Sequence, residues 1–449
     1  MTRRGATRGA SIWPEVGQRP ALDADNFLRR LATVLKAGTL VELEPASVEV
    51  GSLRIDQGLI VQRGPVVDEL PGDEVLFLDG KLVMPGLVSG HHYLHAALLR
   101  GVGRFGTESE ALHQLEAALE PDDVEAAAAS GAVEGLLSGV TTVFNLHASP
   151  RQISGSLSRV AHGLGRVGLR AVLGYQVSDR LGAVGREEGL EECLDYVKRA
   201  RGRFRGAVAV SDLEVLSKDA LEGVKGVLDA AKAFFQLALA EDPAEERAST
   251  AKFEKSPLAR LHEFGLVGEH TILAQGVHLS WEDLASLLST GAWLVHAARS
   301  NMFTQTGSAT AGKFGVRGCL GTDAMSLDVF AEAQAAWLKS RDAGQPIDIL
   351  RFLANGHRLA SAAFGAPIGP LRPGALADLM ILDYRPPTLL DPTTLAAHLL
   401  HGLSARHVES VMVDGVWRLW SRKVLAVKVD ELAAHTREAA QAVWERMSK

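Results

Sequence analysis

The sequence has few cysteines, no long apolar run and no strongly basic segment. Its 449 residues include two cysteines, Cys193 and Cys319, too few for the disulfide framework of a small secreted domain. We expect both to be buried free thiols in a reducing compartment, which favours a cytoplasmic location. No apolar run approaches the ~18 residues that a membrane-spanning helix needs, so we expect no membrane contact.

The charge pattern argues against another class of partner. The formal net charge is -7, and lysine and arginine form no cluster, whereas proteins that bind nucleic acid concentrate positive charge. We therefore expect no nucleic-acid partner. The arginine pair Arg3-Arg4 is not followed by the apolar segment of a signal peptide, because Trp13 and Pro14 interrupt the stretch.

The composition changes along the chain and suggests its domains. Residues 1–32 show no periodicity and predict a flexible tail, with a docking arm that uses Trp13 as the alternative. Short strand-like runs fill residues 33–84 and return over 369–428, where Asp414-Gly415 marks a hairpin. We expect these two segments to pair as one small, discontinuous β-sandwich domain, with a final helix over 429–449.

Between these segments, strand-like and helix-like stretches alternate over residues 85–368, a pattern typical of a parallel sheet. The apolar runs number eight, which is the count that closes a (β/α)8 barrel of the TIM type. They are Leu87–Val88, Val140–Phe144, Leu169–Tyr175, Gly206–Val210, Phe234–Leu239, Thr271–Ala274, Ala292–Val295 and Val316–Leu320. The predicted fold class is therefore α/β, a TIM-like barrel plus the small β-sandwich domain.

Several motifs in a fixed order resemble the amidohydrolase superfamily. More narrowly, they resemble the SsnA-type aminohydrolases, relatives of the cytosine and guanine deaminases and the chlorohydrolases. The resemblance extends from about residue 34 to 447. Its landmarks are Val83–Gly86 with His91, Ser138–Thr142, His147–Pro150 with Gly155–Leu157, Val295–Met302, Leu320–Asp323, Arg341–Gly344 and Ser410–Gly415.

The resemblance implies a site with one divalent metal at the carboxyl ends of the barrel strands. Such enzymes use His-x-His after the first strand, His-x-x-Glu after the fifth, a histidine after the sixth and an aspartate after the eighth. This chain matches the pattern at His91, Glu241 and Asp323. The other three positions carry Tyr93, Ala238 and Gln275.

These replacements weigh against a catalytic metal. A catalytic zinc takes about three protein ligands plus water, and only His91 and Asp323 remain as ligands. We expect no cofactor; if one binds, we expect a single divalent metal, zinc or iron. A metal site rebuilt from neighbouring histidines is the alternative, and its candidates are His92, His95, His147, His278 and His296. More simply, His296 and Arg299 pair with Asp323 or with the backbone, because a buried carboxylate without its metal needs partners.

The barrel pattern and the incomplete metal motif are compatible with two functions. The first is a catalytically degenerate binding, structural or regulatory subunit that forms a homodimer or associates with an active enzyme. The alternative is an active hydrolase of C–N bonds, other than peptide bonds, in a small cyclic amidine, guanidine or nucleobase-like compound, with an altered or absent metal. In either case Glu241 and Asp323 are the vestigial or acid–base groups. The expected pocket for a small molecule is lined by His91, Tyr93, His147, Gln275, His278, His296 and Arg299.

Overall fold

A computed structural model describes residues 32–101 and 108–448 of the chain. The predicted tail at 1–32, with Trp13, lies outside the described residues except for Ala32. Within the described part, none of the helices has the length and apolar character needed to cross a membrane.

The chain first forms one edge of a large mixed sheet. The strands are β1 (Thr33–Leu43), β2 (Ala46–Asp56), β3 (Leu59–Gly64), β4 (Glu74–Phe77) and β5 (Leu82–Pro85). β1 and β2 are a long antiparallel hairpin that runs from the pair Thr33–Ile55 to the pair Leu43–Ala46. Apolar side chains alternate along these strands and bury one face of the sheet, as in Leu53 and Ile55.

Eight parallel strands follow and form the barrel. They are β6 (Leu87–His92), β7 (Val140–His147), β8 (Arg170–Val177), β9 (Phe204–Val210), β10 (Phe234–Leu239), β11 (Thr271–Gln275), β12 (Trp293–His296) and β13 (Gly318–Leu320). β7 and β8 are buried along their whole lengths, as expected for strands covered on both faces. The sheet closes because the amides of Thr322 and Asp323 donate to His91 O at 2.9 and 3.1 Å. The predicted TIM-like barrel is confirmed.

Helices surround the barrel and carry polar caps at several of their starts. Ser217, Asp242, Ser256, Asp328 and Asp348 each accept a hydrogen bond from an amide of the first turn. The helices are α1 (Glu108–Ala118), α2 (Pro121–Leu137), α3 (Ser156–Val167), α4 (Gly182–Arg199), α5 (Lys218–Ala231), α6 (Pro243–Phe253), α7 (Pro257–Glu263), α8 (Trp281–Thr290), α9 (Ala298–Thr304), α10 (Val329–Asp342), α11 (Ile349–Phe364), α12 (Leu395–His401) and α13 (Val429–Met447). The eighth strand was predicted from Val316 but begins two residues later, at Gly318, because Gly315–Arg317 forms a 3-10 turn.

The last strands return to the first sheet. They are β14 (Leu379–Leu382), β15 (Val408–Val413), β16 (Val416–Trp420) and β17 (Lys423–Val424). β14 pairs antiparallel with β5 and joins both chain segments into one nine-stranded sheet. Asp414 and Gly415 turn the β15–β16 hairpin with φ angles of 57° and 68°, as a type I′ turn requires. The two flanking segments thus pair as predicted, while the residue limits proposed for the domains stay a prediction.

A buried ion pair connects the sheet to the barrel. Arg170 at the start of β8 donates to Asp378 from Nε at 2.7 Å and from Nη2 at 3.0 Å. Both side chains are almost fully buried, at 2% and 0% exposure. Asp378 Oδ1 also accepts the amide of Asp414 at 2.7 Å. One carboxylate therefore holds the barrel wall and the β15–β16 hairpin together.

We expect Asp378→Ala to lower the free energy of unfolding by about 3–5 kcal/mol, because removal of one partner leaves a buried guanidinium poorly compensated. Chemical denaturation measures this loss. Asp229→Ala is the control, since it breaks only the exposed Lys225–Asp229 pair within α5 and should cost about 0.3–0.5 kcal/mol. Equal losses in the two variants would contradict the role assigned to Asp378.

Candidate active site at the barrel mouth

The carboxyl ends of the barrel strands bring the predicted polar residues together. His91 is the last residue but one of β6, Gln275 ends β11, and Asp323 follows β13. Gln275 and Asp323 adopt left-handed backbone angles, with φ of 75° and 50°. Such strained conformations in residues other than glycine persist only where the surroundings enforce them, and they cluster at functional sites.

The Asp323 carboxylate is surrounded by donors. Its Oδ2 accepts hydrogen bonds from Gln275 Nε2 at 2.7 Å and from Ser300 Oγ at 2.5 Å. His91 Nε2 lies 3.3 Å from Oδ1, without the alignment of a hydrogen bond. Burial raises the pKa of Asp323, but His91, Ser300 and Gln275 together outweigh burial and hold that pKa below its usual value. Asn301 Nδ2 donates in turn to Gln275 Oε1, which fixes the direction of the amide.

The residues present do not fit the zinc that the family resemblance implies. Tyr93 stands edge-on to His91 with ring centroids 5.0 Å apart, Ala238 has no donor atom, and Gln275 is committed to Asp323. Among the described residues, no group of three or more His, Cys, Asp or Glu side chains is placed to hold a metal. A catalytic zinc needs about three protein ligands, and His91 and Asp323 alone fall short of that number.

The histidines near His91 form a ladder of edge-to-face ring contacts, and among the described residues they belong to no group placed to hold a metal. His95 Nε2 lies 3.2 Å from Glu116 Oε1, and His147 Nε2 lies 3.0 Å from Ser149 Oγ. His92 Nδ1 lies 3.0 Å from the hydroxyl of Thr322, and burial, with help from His91, lowers the pKa of His92 to about 3. Edge-to-face contacts run along the ladder of His91, Tyr93, His95, His147 and Tyr175.

Neither His296 nor Arg299 pairs with Asp323, although Arg299 does make the backbone contact that was the other expectation. Arg299 Nε donates to the fully buried Glu332 at 2.7 Å, and its Nη2 donates to the backbone oxygen of Ser326. His296 Nδ1 has no hydrogen-bond partner within the described residues, and burial lowers the pKa of His296 to about 4. Gln275 and Ser300 take the place at Asp323 because β11 and α9 present them to the carboxylate directly.

A cavity of about 520 Å³ opens above this network. Three of the predicted site residues, Tyr93, Glu241 and Asp323, line it. His91, His147, Gln275, His278, His296 and Arg299 are absent from its described lining. His278 borders a smaller neighbouring cavity and contacts Thr306 O at 2.8 Å.

Several lining residues on the third and fourth barrel strands were not predicted from the sequence. Gln176 lies near the end of β8, while Ser211, Asp212 and Glu214 follow β9, and all four line the cavity. The sequence does carry a signal for them, because each is a polar residue at the carboxyl end of a buried apolar strand. His113 of α1 also lines the cavity and has no such signal.

Comparisons with known proteins agree with the fold. The model of the amidohydrolase family matches residues 82–418. A 5-methylthioadenosine/S-adenosylhomocysteine deaminase of Natronomonas pharaonis is 30% identical over 407 residues, covering 86% of this chain and 91% of that protein. A zinc-bound adenosine deaminase from Xanthomonas campestris has a TM-score of 0.83 at 23% identity and covers 92% of this chain and 99% of its own. E. coli guanine deaminase has a TM-score of 0.75 at 17% identity, with coverage of 87% and 99%. These two structures support the fold alone.

We expect the purified, untagged protein to carry no stoichiometric zinc at Asp323. The triple variant Tyr93→His, Ala238→His, Gln275→His should bind zinc at least about tenfold more tightly, because it supplies the missing imidazoles. Elemental analysis and calorimetric titration measure both properties.

The matched control adds Asp323→Asn to the triple variant and should lose the gained affinity. Stoichiometric zinc in the unmodified protein that disappears in His91→Ala would contradict this interpretation of the site.

Proposed function

The chain belongs to the amidohydrolase family, and from that premise we propose that it binds a small amino-substituted ring compound at its barrel mouth without metal-dependent turnover. The compound is of the cyclic amidine or nucleobase-like class. The chain then acts as a binding or regulatory subunit. Association as a homodimer or with an active enzyme belongs to the same proposal.

The hydrogen bonds that Asp323 already accepts carry this proposal. In the metal-dependent reaction the matching aspartate would hold the ion and accept a proton from water. Here both roles are obstructed, because Gln275 and Ser300 already donate to its Oδ2 and the pKa of Asp323 lies below its usual value. A carboxylate held in its charged form by hydrogen bonds is a weak proton acceptor.

The ligand class rests on the pocket and on the named relatives. A cavity of about 520 Å³ is within the usual range for a small-molecule site. The curated relative is named for deamination of 5-methylthioadenosine and S-adenosylhomocysteine, both amino-substituted purine compounds.

A second candidate function is hydrolysis of the C–N bond in the same class of compound. The deaminase names of the relatives favour it. In such a reaction water adds to the ring carbon, the amino group leaves as ammonia, and an acid–base group moves the protons. Glu241 and Tyr93 line the pocket and are among the groups available for proton transfer, although burial raises the pKa of Tyr93 well above its usual value.

A paired binding and turnover assay separates the two functions. We expect 5-methylthioadenosine or adenosine to bind in calorimetric titration, with no release of ammonia above that of the Glu241→Gln variant, because the described residues offer no metal-binding group that would activate water.

Ammonia release that falls in Glu241→Gln and in Asp323→Asn would establish the hydrolase instead. Absence of binding by every amino-substituted ring compound tried would overturn the proposal itself.

A further inference from the structure

We propose that the pocket takes a planar cation that carries N–H donors, of the amidinium or guanidinium class. This inference rests on the proposed function and narrows its ligand class from amino-substituted rings in general to positively charged ones. Two independent features carry it: a wall of carboxylates in the pocket and a pair of buried glutamine amides on strands β8 and β10.

The first feature is the acidic wall, defined here as Asp212, Glu214, Glu241, Asp242 and Glu245. All five line the cavity, together with Glu116 and Asp323, and its described lining contains no lysine or arginine. A cleft lined by one sign of charge focuses the field and attracts counter-ions. The wall therefore favours a cationic ligand over a neutral or anionic one.

The described contacts of Asp212, Glu214 and Glu245 compensate these three carboxylates only in part. Glu245 accepts hydrogen bonds from backbone amides, those of Ala240 and Glu241 among them, and such bonds do not neutralise a carboxylate. Asp212 pairs with Arg180 through Nε at 2.8 Å. Burial, with the neighbouring carboxylates of Asp212 and Glu245, raises the pKa of Glu214, so these charges repel one another.

The second feature is the amide floor, defined here as Gln176 and Gln236. Gln176 on β8 and Gln236 on β10 are both in register with Ala209 on β9, which lies between them. Their side chains therefore point to the same side of the sheet, with Cα atoms about 10 Å apart by strand spacing. Gln176 lines the cavity, and Gln236 stands two residues before Ala238, which also lines it.

The amide floor lacks hydrogen-bond partners. Gln176 is 7% exposed and donates to Ser211 Oγ, but its Oε1 has no described partner. Gln236 is 1% exposed, and neither its Oε1 nor its Nε2 has one. Buried amides without partners are costly, and two amide oxygens in one row are acceptors that suit the N–H groups of an amidinium or guanidinium. The described residues offer no metal-binding group, so an inorganic cation explains the floor less well.

Benzamidine and benzamide test the charge requirement, because they match in shape and differ by one positive charge. We expect benzamidine to bind the full chain at least about tenfold more tightly in calorimetric titration, a difference of ~1.4 kcal/mol. Added salt should weaken the binding of benzamidine and leave the binding of benzamide unchanged. Glu214→Gln should lower the affinity for benzamidine about fivefold without changing the affinity for benzamide. Glu191 on α4 is exposed, and Glu191→Gln should change neither affinity.

Gln236→Met tests the amide floor with a readout that a purely structural residue would not give. We expect the variant to unfold at the same or a higher temperature, because it removes a buried amide that has no described partner, and to bind both compounds more weakly.

If benzamidine binds no more tightly than benzamide, the charge requirement is overturned. If Gln236→Met leaves both affinities unchanged, the role of the amide floor in binding is overturned. In either case, retained binding of adenosine would leave the proposed function standing. If no ring compound of either kind binds, both proposals fail together.

Discussion

The backbone seam between β6 and the residues after β13 is the constraint on which the site depends. Thr322 and Asp323 donate their amides to His91 O, and Tyr93 donates its amide to Asp323 O at 3.1 Å. Gly321 makes this approach possible, because a Cβ there would come within 3.0 Å of His91 O and within 2.6 Å of a Val295 methyl group. The same backbone hydrogen bonds therefore close the barrel and fix the position of the Asp323 carboxylate.

Closure in this form places the charged carboxylate of Asp323 inside the protein. The chain therefore has to stabilise that charge. Without a metal, a buried carboxylate costs several kcal/mol unless hydrogen bonds satisfy it. Gln275 and Ser300 supply charge-assisted bonds, each worth roughly 1.5–3 kcal/mol, and Asn301 holds the glutamine amide in place. These hydrogen bonds explain how the chain accommodates the Asp323 carboxylate in a buried position.

The sequence was informative about the barrel and less so about the contacts inside its mouth. Apolar runs predicted all eight strands because a buried parallel strand must be apolar along its length, and Asp414-Gly415 predicted the hairpin because few other dipeptides fit its backbone. The replacements at Tyr93, Ala238 and Gln275 were visible by comparison with a known motif. The donation from Ser300 was not, because it depends on where α9 begins relative to β13. The alignment of Gln176 with Gln236 across β9 could not be predicted either, since it depends on the register of three strands.

The distribution of satisfied and unsatisfied polar groups separates two parts of the barrel mouth. Around Asp323, Gln275 and Ser300 donate to the carboxylate and Asn301 donates to Gln275, so that the charge is stabilised locally. On β8 and β10, two buried glutamines leave amide atoms without described partners, although a leucine or methionine would fill the same space at lower cost. Stability alone does not favour those glutamines, and the proposed organic cation would complete their hydrogen bonds. Under this proposal, the chain itself compensates the charge of Asp323 and leaves the glutamine amides to a bound ligand.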